Sequence, residues 1–200
     1  MSINIYRKFT RIPIFGSYLK IANAYAYKGN SAYIRQLAPF NNWYIRVLPA
    51  WFYSIVFSII VTTYVKINSV ADFDAGAYII GAIPDLVGFG IGVFALIFVL
   101  PNNLITFINK NGRKTFPVEE IPADFAYPLM GLVFSLVVSF LLELISDEST
   151  IGIFAEVTIF FYSFIMITEM IMFIYTLTRA SQSNKLTKNE RFYHRVKKNK

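Results

Sequence analysis

The chain has 200 residues, 56% hydrophobic and 18% aromatic, and only 16% are charged. Soluble domains are about a quarter charged, so lipid rather than water is the expected main solvent. Cysteine is absent and His194 is the only histidine, which excludes disulfides, thiolate chemistry, zinc–thiolate sites and relays built from several histidines.

Residues 1–46 carry Arg7, Lys8, Arg11, Lys20, Lys28, Arg35 and Arg46 without an Asp or Glu. Aromatics are interleaved with them: Tyr6, Phe9, Phe15, Tyr18, Tyr25, Tyr27, Tyr33, Phe40, Trp43 and Tyr44. Basic, aromatic and amphipathic together read as one or two helices lying on the inner leaflet, or equally as a packed cytoplasmic cap. No cleavable signal peptide is read here, because no apolar core run is followed by a small-residue cleavage site.

Four apolar stretches follow, at roughly 47–65, 77–100, 126–146 and 151–178. Each is long enough to cross a hydrocarbon core of about 30 Å as a helix, and none alternates as a membrane strand would. The expected fold is therefore all-α: a polytopic membrane protein of four transmembrane helices with N-terminal interfacial helices. Of the bases between and around the spans, only Lys66 falls in a first or third loop; the rest sit at 1–46, in the 101–125 loop and in the tail 179–200. The positive-inside rule then places both termini in the cytoplasm. A three-span alternative makes 77–100 re-entrant, since Gly81, Pro84, Gly88, Gly90 and Gly92 could break or kink it.

Polar and small residues in the spans fall in rows. Ala50, Ser54, Ser58, Thr62 and Lys66 recur every fourth residue, and Gly131, Ser135, Ser139 and Glu143 do the same. Gly81, Asp85, Gly88 and Gly92 share a face of the second span. Such rows read as close helix packing, or alternatively as the lining of a pore.

Asp85, Glu143, Glu156 and Glu169 lie inside the spans with no Lys or Arg among them, and an ionisable group at that depth is a functional candidate by default. By the topology above, Asp85, Glu143 and Glu156 gather toward an acidic outer mouth, and Asp85 after Pro84 is a candidate helix cap. Glu169 stands apart in the inner half of the fourth span, with no base near it in sequence.

The tail KLTKNERFYHRVKKNK attaches next to a span, so Arg195, Lys197 and Lys198 are expected to meet anionic inner-leaflet head groups; nucleic acid is the less favoured partner. The chain carries no HExxH, paired-aspartate, nucleophile-elbow or phosphate-cradling motif, and Gly88-Phe89-Gly90-Ile91-Gly92 lacks the context of a dinucleotide loop. A non-enzyme without cofactor or metal is expected: a self-associating, cation-favouring pore or membrane-perturbing assembly, or else a structural subunit of a larger membrane complex. The expected location is the bacterial cell membrane, with an organellar or reticular membrane as the alternative.

Overall fold

A computed structural model of the chain describes residues 8–34, 36–68, 74–97, 118–145 and 150–198. Lys110, Arg113 and Lys114, on which part of the topology reading draws, lie outside the described residues. The described chain is helical: α1 (Phe15–Ala26), α2 (Phe40–Arg46), α3 (Leu48–Ile67), α4 (Ala75–Ile97), α5 (Ile121–Ile145) and α6 (Thr150–Lys198). Four of these are long and apolar enough to cross a membrane: Leu48–Ile67, Ala75–Ala95, Ile121–Ile145 and Thr150–Arg179.

The helix limits differ from the apolar runs where capping chemistry adds polar residues. α5 begins five residues before the apolar run because Pro122 is tolerated in a first turn and Asp124 complements the positive end of the helix dipole. α4 runs unbroken through Pro84, so Asp85 stands inside the helix rather than at its start. The tail continues α6 to Lys198, where no Gly or Pro interrupts it; at 1.5 Å per residue the whole helix is about 74 Å long. Arg195, Lys197 and Lys198 lie on that continuation, and their side chains are outside the described ones.

α6 is the central helix and packs against α3, α5 and α4, while α5 also packs against α4 and α1. α3 runs antiparallel to α6: Trp51 stacks on Tyr162 at 4.3 Å, Phe57 on Phe161 at 5.4 Å, and Lys66 Nζ donates to Thr150 Oγ1 at 3.2 Å. The bundle thus has an Arg46 end, where α3 and α5 begin, and a Lys66 end, where they finish.

α1 buries Tyr18, Ala22 and Ala26 and runs opposite to α5 from the level of Phe134 to that of Glu119. Tyr18 stacks on Phe134 at 4.6 Å and Tyr25 on Tyr127 at 4.3 Å. α1 is therefore packed against the bundle along half the length of α5. Asn23, fully buried, holds the following segment in place: its Nδ2 donates to the Gln36 carbonyl and its Oδ1 accepts from Ala38 N–H, both at 2.8 Å. Gly29, with φ +71°, closes α1 by donating its N–H to the Ala24 carbonyl at 3.0 Å; a Cβ there would overlap the Glu119 carbonyl, so only glycine fits.

Candidate functional site

The Arg46 end collects the charged side chains. Arg46 closes α2, where a cation complements the negative end of a helix; Glu120 and Asp124 stand at the start of α5, where anions are favoured. Arg46 Nη2 donates to Asp124 Oδ1 at 2.7 Å, and Nη1 lies 3.7 Å from Glu120 Oε2, an ion pair too long for a hydrogen bond. The guanidinium also sits 4.2 Å from the centre of the Tyr25 ring, which is itself stacked on Tyr127. Side-chain exposure is 16% for Arg46 and 14% for Asp124, so this knot is largely withdrawn from solvent.

Beside the knot is an open cleft of about 330 Å³ between α3, α6 and α1. Arg46, Glu169 and Tyr25 form its polar part; Tyr53, Phe57, Ile165 and Met166 line the part that runs toward the middle of the bundle. Glu169 makes no hydrogen bond or ion pair among the described residues. Sequence distance conceals its setting: Arg46, a base that shares its cleft, is more than a hundred residues away in the chain, brought there by the antiparallel α3–α6 packing.

Deeper in, three phenols and an indole form one polar cluster. The Tyr18 and Tyr162 hydroxyls share a hydrogen bond of 2.7 Å, Tyr162 donates to Tyr127 at 3.4 Å, and Trp51 Nε1 donates to Tyr18 at 3.3 Å. All three tyrosines are buried, so each hydroxyl needs such a partner. Burial pushes the Tyr18 phenol above its usual range, and hydrogen bonds from its neighbours only partly offset that. The Tyr25 phenol is pushed up to about 12, first by burial and next by the negative charge of Glu169. The cluster is invisible to a search for titratable motifs, because phenols 144 residues apart meet only once α1 docks.

The Lys66 end is acidic. Gly76 is buried where Asp74, Glu143 and Glu156 converge: a methyl placed on it would lie 3.2 Å from Glu143 Oε2, 3.4 Å from Asp74 Oδ1 and 3.9 Å from Glu156 Cδ. Asp74 also accepts the Ala77 N–H at 2.8 Å and so caps α4. Asp85 is not part of this group; it is two to three turns along α4, exposed on the outside of the bundle. Among the described residues no group of three or more His, Asp or Glu is arranged to hold a metal ion.

The small-residue rows separate into two kinds. Ser54, Ser58 and Thr62 of α3 are buried, and Ser58 donates to the Phe154 carbonyl of α6 at 2.8 Å. Ser135 and Ser139 of α5 are likewise buried; Ser135 bonds back to the Gly131 carbonyl at 2.9 Å, and Gly131 faces Met166 and Tyr162. These rows are seams within one chain. In α4, Gly81, Asp85, Gly88 and Gly92 are all exposed, and a Cβ on any of the three glycines would meet nothing within 4 Å. Pro84 is exposed beside them.

Comparison with protein-family models, with curated protein sequences and with solved structures finds no match to this chain, so the geometry above is the sole guide to its role.

Proposed function

We propose that this chain is a non-enzymatic integral membrane protein that assembles with copies of itself into a cation-favouring passage, with the Gly81–Asp85–Gly88–Gly92 row of α4 at the contact between copies. The observation that carries the reading is that this is the one small-residue row among the described residues left without a neighbour. Glycine rows let two helix backbones approach closely, which is the main source of attraction between helices in lipid. Asp85 stands in the middle of that row, so copies meeting there bring a ring of carboxylates to the shared axis, where cations are favoured over anions. Asp74, Glu143 and Glu156 at the Lys66 end add negative charge to the approach. With the basic segments 8–46 and 179–200 on the cytoplasmic side, that approach is the outer one.

Conductance across planar bilayers is the test. Purified wild-type protein is expected to give cation-selective currents, and Asp85→Asn to reduce that selectivity. Absence of conductance from the wild-type protein at every reconstituted density refutes the passage.

A second reading, as a subunit of a larger membrane complex, is favoured by one observation: Asp85 is exposed without a hydrogen bond or ion pair among the described residues, and a partner helix bearing Lys or Arg would answer it. Native mass measurement after gentle extraction separates the two, since a homo-oligomer supports the first reading and a mixed complex the second.

A further inference from the structure

We propose that the cleft beside Arg46 and Glu169 binds the head group of an amine-bearing phospholipid, with the ammonium on Glu169. Charge selects the ligand. Arg46 is already matched by Asp124 at 2.7 Å and by Glu120 at 3.7 Å, so the third carboxylate, Glu169, leaves the site with excess negative charge. An anionic head group is disfavoured there, and a cation is favoured.

Ring geometry decides which cation. A trimethylammonium group needs open aromatic faces around it. Tyr25, the ring in the polar part of the cleft, has both faces taken, by Arg46 and by Tyr127, while Tyr53 and Phe57 line the apolar part. A primary ammonium, with three N–H donors, instead needs a carboxylate acceptor, and Glu169 is free to be one. Arg46 lines the same cleft, so the phosphate beside the amine has a cation within the site, although the Nη1 atom itself is buried toward Glu120.

Shape decides between a lipid and a soluble amine. The cleft is polar at Arg46 and Glu169 and apolar at Phe57 and Ile165, a gradient that matches an amphiphile with its head at the Arg46 end. Its volume, about 330 Å³, is at the low end of ligand clefts at roughly 300–1,000 Å³. That admits a head group but not two acyl chains, which would lie outside along Tyr53 and Phe57. Exposed Tyr44 and half-buried Trp43, in the helix that Arg46 closes, are the residue types that mark the head-group level of a membrane.

The experiment is native mass spectrometry of the purified full-length protein in micelles containing equal amounts of phosphatidylethanolamine, phosphatidylcholine and phosphatidylglycerol. The expected result is preferential retention of the ethanolamine lipid, and a loss of that preference by about tenfold in Glu169→Gln, as for removal of one charge-assisted hydrogen bond. Glu169 is on the surface of the bundle, so Glu169→Gln is expected to keep the wild-type elution volume and melting temperature; Thr63→Val, at the other end of α3, should retain the lipid as wild type does. Equal retention of all three lipids, or an ethanolamine preference unchanged in folded Glu169→Gln, would overturn the proposal. Displacement of the lipid by soluble phosphoethanolamine at matching concentration would also overturn it, by assigning the site to a soluble amine. The inference does not depend on assembly through α4, and its failure would leave that reading standing.

Discussion

Arg46 is the counter-charge for two carboxylates and the cation on one aromatic ring, so its removal strands more than one partner. Breaking a largely buried ion pair from one side costs about 3 kcal/mol or more, whereas removing all its charged members together costs far less. Arg46→Met is therefore expected to lower the melting temperature in detergent sharply, and the triple variant Arg46→Met/Glu120→Gln/Asp124→Asn to recover most of the loss. A triple variant no better than Arg46→Met would contradict this assignment. The buried phenols give the fold an alkaline limit. Tyr25 keeps its proton in the fold up to about 12 but loses it near 10 when unfolded, so the unfolded chain binds fewer protons in that window. Its contribution is fully present below pH 10 and is lost as pH rises toward 12. Tyr25→Phe should flatten the fall in melting temperature between pH 10 and 12, and an identical alkaline slope in both proteins would count against this role of the half-buried Tyr25. At this scale the sequence pointed to Glu169 but not to its neighbours. Isolation along the chain marked the glutamate, whereas Arg46 and Asp124 resembled ordinary charges flanking a span until packing joined them.

Among the helices, periodicity exposed every row but could not say which rows were occupied. Ser54, Ser58 and Thr62 in α3 and Gly81, Asp85 and Gly88 in α4 have the same spacing logic, and only the packing shows that the first set faces α6 and the second faces outward. The difference is tertiary: α6 is flanked on several sides, so α4 spends one face on α5 and α6 and leaves the other free. Two glycine substitutions should therefore behave oppositely. Gly88→Leu meets open space and is expected to leave the monomer's stability within about 0.5 kcal/mol of wild type while weakening assembly. Gly131→Leu would drive into Met166 and Tyr162 and should destabilise the monomer by about 2 kcal/mol. Thermal unfolding in monodisperse detergent distinguishes them; equal losses would mean that the α4 face is not free. The N-terminal segment shows the reverse limit of sequence reading. Its aromatics and bases were equally compatible with lying on lipid or capping the bundle; Tyr18 and Tyr25 stack on α5, while Phe40 and Tyr44 stay exposed.

For the molecule as a whole, the four long apolar helices were legible because composition and length alone determine what can cross a bilayer. Their mutual arrangement was not, since four apolar helices pack in many orders and the choice here rests on particular contacts: Trp51 on Tyr162, Ser58 on Phe154, Gly90 near Leu129 and Met170. Those contacts leave a bundle whose unused small-residue face is on α4, and the proposed assembly depends on that face meeting another copy. Because the chain has no cysteine, single cysteines placed on the row report its neighbours directly. Mild oxidation of membranes containing Gly81→Cys, Gly88→Cys or Leu132→Cys protein, resolved without reductant, is the most direct measurement. Disulfide-linked dimers are expected from Gly81→Cys and Gly88→Cys but not from Leu132→Cys, whose position is fully buried inside one chain; monomer alone from both glycine positions would contradict assembly through α4.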